Sequence, residues 1–428
     1  MKVNLIEKTV LFLALALASV GAFAQADVSS PYSMFGVGQM ANKSMNVRMK
    51  GMGGVGNAMH DKGMINIGNP ASYAKIDTLA FLFDAGFYFK TSTFATSNKS
   101  EKSSNASFDH VAMAFGLTPW WKMAVGVQPF STMDYKMVVD SYEPGVGGYT
   151  TAFEGNGGLN RATLGTAFKV GAHFAVGANA NYVFGDSETL STLYFPDTAY
   201  RMGTRRGIDL MVSSFKFDYG LMYDTKIGKE HHLSVGLTYD QPIKLNGKQT
   251  SFFRSIAGDA EAGSEYLVDT IFYSTHDTKL TMPQGVGFGV TFGKDNRWCV
   301  GADFNWTQWS KFAREGANDS LGNAWSVAVG AEFSPTYTSV SNYFRKASYR
   351  IGGFYERTHL NINGIALSKF GATAGISLPL PRSLSSVNVA VEAGRLGTKE
   401  AGLIQEGYLK LDVGISVFER WFMKRKYK

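Results

Sequence analysis

From about residue 79 to residue 418 the chain repeats with a period of two. In Gly285–Gly293, Val286, Phe288, Val290 and Phe292 alternate with Gly287, Gly289 and Thr291. In His232–Asp240, Leu233, Val235, Leu237 and Tyr239 alternate with Ser234, Gly236 and Thr238, and His173–Gly185 repeats the pattern. Near the end, Leu409, Leu411, Val413, Ile415 and Val417 alternate with Lys410, Asp412, Gly414 and Ser416. Successive side chains on a strand point to opposite faces, so each segment has one apolar face and one polar or small face. The pattern predicts strands near 79–90, 108–117, 122–129, 158–169, 173–185, 209–225, 231–241, 284–293, 297–307, 322–334, 347–358, 368–378, 386–397 and 406–418, about fourteen in all.

A soluble sandwich turns its apolar faces inward, whereas a membrane barrel turns them out to lipid around a polar lumen. The connections separate the two. They alternate between long (91–107, 130–157, 186–208, 242–283, 308–321, with 359–367 and 398–405 shorter) and short (118–121, 170–172, 226–230, 294–296, with 335–346 the longest of that set and 379–385 behind it). Short turns at one end and long loops at the other are the layout of outer-membrane barrels, and an even strand count leaves both barrel ends on the periplasmic side. Trp120, Trp121, Trp298, Trp306, Trp309 and Trp325 fall near strand ends, as interfacial girdles require. The fold predicted is all-β, a transmembrane antiparallel β-barrel of about 14 strands, spanning 79–418.

The N-terminus sets the compartment. Lys2 and Lys8, an apolar run from Val10 to Val20 and Ala22-Phe23-Ala24 read as a signal peptide over residues 1–24. No later apolar run is long enough for a membrane helix. The predicted location is the outer membrane of a Gram-negative cell, in contact with its lipid. Residues 25–78 lack periodicity but are rich in Gly, Asn and Met, with Met34, Phe35, Met40, Met45, Met49, Met52, Met59 and Met64 among them. That apolar content suits an N-terminal plug, or hatch, inside a barrel too wide for its own side chains to fill. Residues 419–428 form a basic periplasmic tail.

The formal net charge is +7, much of it from Lys424, Arg425, Lys426 and Lys428. An exported chain has little occasion to meet nucleic acid, so no nucleic-acid partner is expected. Gly51-x-Gly53-x-x-Gly56 matches a dinucleotide fingerprint but lacks the βαβ unit that gives it meaning, and no cofactor is expected. The adjacent His231 and His232 point to opposite faces of a strand, and the other five histidines have no metal-ligand spacing. Asp109-His110, with Ser131 and Asp134 across the next hairpin, is placed near the outer rim without a nucleophile motif, and no enzyme activity is expected. Cys299, the single cysteine, reads as a small interior side chain.

Several segments together resemble a known family. Ser29-Ser30-Pro31-Tyr32-Ser33-Met34-Phe35-Gly36-Val37-Gly38 is followed by Gly51-Met52-Gly53-Gly54-Val55-Gly56, then by Ile65-Asn66 and Asn69-Pro70-Ala71. With Phe153–Asn160 and Val417–Phe422, these resemble the FadL/TodX transporters of hydrophobic compounds, in the form found in Bacteroidetes. The resemblance implies a fourteen-stranded barrel with a hatch marked by Asn69, Pro70, Ala71, Gly51, Gly53 and Gly54. It also implies passive uptake of long-chain fatty acids or similar apolar molecules, with sideways exit into the membrane.

The loop 242–283 carries candidate capture residues Phe252, Phe253, Tyr266, Phe272 and Tyr273, an apolar set that equally suits two strands continued above the membrane. The alternative function is a barrel subunit of an envelope protein assembly or secretion complex that transports nothing and docks partners through the basic tail. An open porin for polar solutes is a third reading, opposed by the plug.

Overall fold

The computed structural model describes residues 30–43, 46–195, 201–258, 265–314, 321–335, 343–380 and 383–420. Residues 1–24, the expected signal peptide, and residues 421–428, which make up most of the expected basic tail, lie outside the described residues.

Fourteen strands close into one antiparallel ring. They are β1 (Ala80–Ala95), β2 (Ser100–Phe115), β3 (Trp121–Thr132), β4 (Gly147–Val170), β5 (Phe174–Tyr194), β6 (Gly203–Ile227), β7 (His231–Asp240), β8 (Gly285–Lys294), β9 (Trp298–Thr307), β10 (Ala324–Phe333), β11 (Ser348–Ile362), β12 (Ile365–Pro379), β13 (Ser386–Leu396) and β14 (Gln405–Arg420). Each pairs with its sequence neighbours, and β14 closes on β1 from Gln405↔Ala95 to Arg420↔Ala80. Closure satisfies the backbone of the wall internally and removes both edges.

The ring is the inverse of a soluble core. On β8 and β14 the apolar positions Phe288, Leu409 and Leu411 are exposed outward, while Glu406, Asp412 and Ser416 are buried. The inner face therefore holds the charge, and the outer face is a band of Val, Leu, Phe and Tyr.

The main departure from the expected layout is at the long-connection end, where strands continue beyond the alternating segments. β1 and β2 run on to a turn at 96–99, and β4, β5 and β6 reach 24, 21 and 25 residues. β11 and β12 meet at Asn363-Gly364, both at positive φ, the geometry of a two-residue type I′ hairpin. Strand Tyr135–Glu143 pairs with the outer part of β4. The region 242–283 is mostly a hairpin, Ile243–Ala257 with Tyr266–Met282, whose first strand extends the wall along β6 from Gly247↔Val212 to Ile256↔Gly203. Alternate positions of several extensions are still buried, among them Thr150, Ala152, Thr192, Phe252 and Ile256, whereas 100–102 and 266–273 are exposed on both faces and show no one-sided apolar pattern.

Residues 30–78, apart from 44 and 45, are mostly buried and short of regular structure. They contain the short helix α1 (Val47–Lys50), a 3₁₀ turn Pro70–Lys75 and a two-residue bridge, Gln39–Met40. Met49, Met52, Val55, Met59 and Met64 form one buried cluster with Ala328 of β10, against which Cys299 of β9 packs.

Candidate functional site

The N-terminal segment is tied to strands spaced around the ring. Asn46 donates to Asp84 on β1 at 2.9 Å, and its own side chain caps α1 by accepting from Arg48 N–H. Arg48 grips Glu332 of β10 with two parallel bonds, 2.8 and 2.7 Å. Lys50 reaches Asp109 on β2 at 2.5 Å and Asp412 on β14 at 2.8 Å. Burial alone would pull the Lys50 ammonium down, but Asp109 and then Asp412 hold its pKa above the ordinary lysine value. The Gly56 and Asn57 amides both donate to one oxygen of Asp303 on β9. Further on, His60 meets Ser234 on β7, Tyr73 donates to Asn179 on β5 and Lys75 pairs with Asp224 on β6.

The expected hatch motif has definite local roles. Asn69 is fully buried; its carboxamide oxygen accepts from Ala71 N–H to cap the 3₁₀ turn, and its nitrogen donates to the Asn57 carbonyl. Pro70 occupies the first position of that turn, where a missing N–H costs nothing. Gly51 follows α1, and Gly53 and Gly54 take positive φ (74° and 87°), open to glycine without strain. Here the segment touches the wall backbone to backbone. A Cβ on Gly352 of β11 would lie 2.3 Å from the Gly53 nitrogen. These glycines thus serve close approach as well as turning.

Asp109 and His110 do not lie at the rim. His110 is buried on the inner face, its ring nitrogens 2.5 Å from Asp84 and 2.6 Å from Asp109. The register slips between Gly86↔His110 and Phe87↔Phe108, leaving Asp109 as an extra residue. That bulge lets both neighbours join the Lys50 network, which strict alternation would forbid.

A cavity of about 320 Å³ lies between the segment and the wall. One part is charged, with Lys43, Lys216 and Arg161 near Asp240; another is apolar, with Met40, Phe130, Met282, Trp309 and Phe354. Trp309 is buried and stacked on His359 at 4.4 Å, so it is an interior residue and no part of a girdle. Beside this cavity the wall is thin in hydrogen bonds. β2 and β3 pair only from Val111↔Val127 to Phe115↔Met123, then part. Beyond the parting, β3 carries buried Phe130 and Ser131, and Ser131 and Thr132 pair with Met40 and Gln39 of the N-terminal segment.

Compared with known proteins, this chain matches the sequence pattern of the BamG family over residues 5–428. It belongs to the BamG family. No curated protein matches it. Solved structures similar in fold include a FadL homologue from Pseudomonas aeruginosa (13% identity, 90% of this chain, 100% of that chain, TM-score 0.59). The Pseudomonas putida toluene transporter TodX is similar too (14%, 90%, 100%, 0.57), as is the Ralstonia pickettii toluene transporter TbuX (13%, 88%, 98%, 0.56). At these identities the FadL/TodX resemblance is one of fold, while the sequence places the chain among BamG proteins.

In this BamG-family chain the candidate capture residues do not converge on the cavity. Phe252 is buried over Gly207 with the Arg254 guanidinium 4.1 Å from its ring centroid, and Phe253 is half-buried on the same strand. Tyr266, Phe272 and Tyr273 are exposed on the outer strand of the 243–282 hairpin. That strand pairs on its far edge only at Leu280 and Thr281, among the described residues. Sequence reasoning missed the cavity's charged residues. Their signal was present, since Lys216, Asp303, Lys369 and Glu392 are charges inside otherwise alternating strands.

Proposed function

We propose that this protein is an outer-membrane barrel, plugged by residues 30–78, that passes small apolar or amphiphilic molecules and has no catalytic role. Support for the membrane comes from the outward apolar band around a charged inner face. Support for the plug comes from contacts to β1, β2, β5, β6, β7, β9, β10, β11 and β14, since a segment touching one face of strands all round a closed ring has only the lumen to occupy. The observation that carries the transport reading is the cavity beside the parting of β2 and β3. It offers an amphiphile both a charged and an apolar lining, and the parting gives a sideways exit into lipid. The neighbours in fold that are named as toluene transporters agree with it. The cargo we propose is a long-chain fatty acid or a similar apolar molecule.

The second reading is a barrel subunit of an envelope protein assembly that carries nothing. The observation favouring it is the hairpin 243–282, whose outer strand exposes Tyr266, Leu267, Ile271, Phe272 and Tyr273 beyond the barrel wall. An exposed apolar strand edge marks a contact surface. One experiment separates the readings: mass spectrometry of compounds released from protein purified out of its native membrane, against an unrelated barrel. A specific apolar compound near equal stoichiometry supports transport. Background lipid alone, together with co-purifying protein, supports the assembly subunit.

A further inference from the structure

The hairpin 243–282 rises past the long-connection end of the ring. Its first strand is paired on both sides, with β6 and with Tyr266–Met282. Tyr266–Met282 itself is paired on its inner side only, apart from Leu280 and Thr281, which meet Arg314 and Ala313. Among the described residues, its far edge therefore offers unpaired backbone N–H and C=O groups as far as Lys279. Val268 and Ile271 are extra residues at two register slips, which bend the strand. From Phe272 to Lys279 the ladder is regular, an open edge of eight residues.

Both faces of the strand are exposed over 266–273, where Tyr266, Leu267, Ile271, Phe272 and Tyr273 are each more than half exposed. Lipid does not account for them. β7 and β8 have ten residues each, enough to cross a bilayer, which takes about 9–11. The hairpin begins and ends beyond the same end of those two strands, and Tyr273 lies roughly 30 Å of strand past Met282. A second copy does not fit either. Barrel strands tilt by about 35–45°, so the same edge on two copies in one membrane would cross at roughly 70–90°, and crossed edges share no ladder.

The edge is also one-signed. Residues 265–278 hold Glu265, Asp269 and Asp277 and no Lys or Arg. Glu265 is held by Arg205 at 2.7 Å and Asp277 lies opposite Lys248. Asp269 is exposed and forms no ion pair among the described residues. Lysine and proline, which commonly guard an edge against pairing, are both absent from 266–278.

We propose that this edge receives an extended segment of a different protein, added as one more strand along Phe272–Lys279. The segment brings apolar side chains to Phe272 and Tyr273 and a basic one to Asp269. Main-chain bonds give such an addition its affinity, and alternate side chains give its specificity. The inference deepens the assembly-subunit reading and rests on it, together with the outer-membrane placement.

The test uses the full chain in its native cells, with the photo-crosslinker p-benzoylphenylalanine in place of Tyr273 or, as a lipid-facing control, of Phe288. Position 273 should give one dominant adduct to a single other protein, and position 288 should give none. Phe272→Lys changes an exposed side chain, so heat-modifiable migration should stay as in the wild type while the adduct falls at least about ten-fold. Phe272→Tyr should retain it. In the complex purified intact in mild detergent, the amides of 272–279 that do not bond 243–257 should exchange at least about ten-fold more slowly than in the partner-free protein. Side-chain contact alone does not produce that protection. Adducts only to a second copy or to lipid overturn the proposal, as do edge amides left unprotected in the complex or an adduct that F272K leaves intact. Proteins that co-purify with no adduct at position 273 would keep the assembly-subunit reading and remove this edge from it. Neither adduct nor co-purifying protein would defeat both.

Discussion

Lys50 is the residue on which the N-terminal segment is most firmly held. Its ammonium is 5% exposed and lies between carboxylates from β2 and β14, the two strands that flank β1. Removing one member of a buried ionic cluster strands the others, at roughly 3–5 kcal/mol. Lys50→Met should therefore free the segment, and limited proteolysis in detergent should cut within 30–78 at least about ten-fold faster than in the wild type. Because the folded Lys50 pKa is raised, its contribution is complete below the ordinary lysine pKa and is lost only as pH climbs past the folded value. The effect of K50M should accordingly be flat between about pH 6 and 9. Gly352→Leu should loosen the same segment by sterics, since Gly53 nitrogen already fills the space. Gly407→Ala, with open space around its Cβ position, should be silent. Cleavage of K50M and G352L at the wild-type rate would mean that the anchors lie elsewhere. Little of this was legible beforehand. That Asp412 was an inward position could be read from its alternation with Leu411 and Val413, but its partner is 362 residues away and no local pattern encodes it.

At the scale of elements, the fourteen wall strands were legible because each has lipid-like apolar demand on one face and a polar lumen on the other. The strand extensions were not. Ser100–Asn105 is SEKSSN, with no apolar face, yet it is held as strand by pairing with Thr91–Ala95 and Lys90 of β1. Equally hidden was the parting of β2 from β3, since a missing ladder has no signature in either strand's own periodicity. It carries its own prediction. The β2 amides over 100–110 that do not bond β1, and those of Gln128 and Phe130 on β3, lack a mutual ladder, so hydrogen exchange there should be at least about ten-fold faster than over 111–115 and 123–127. Uniform protection across both strands would mean that the wall is sealed, which would remove the sideways exit from the transport reading and leave the assembly subunit as the better account.

For the whole molecule, the decisive property is whether the ring conducts. Fourteen strands enclose more space than inward side chains fill, and here the inner face is lined by charge that tolerates water once the segment is gone. The ring itself owes its closure to strand pairing that does not pass through residues 30–78, apart from the two-residue bridge at Ser131 and Thr132. A chain lacking residues 30–78 should therefore still insert, retain heat-modifiable migration and show large, steady single-channel steps in planar bilayers. The intact chain should show none, because its 320 Å³ cavity is bounded by the segment. Large steady conductance from the intact chain would revive the open-porin reading and defeat the plug. Silence from both chains, with the truncated one still folded, would mean that the strand extensions and the 243–282 hairpin close the ring without the segment. K50M gives the intermediate case: with the anchor cut and the segment still covalently attached, brief openings should appear on a closed baseline, their frequency rising with the same loosening that proteolysis reports.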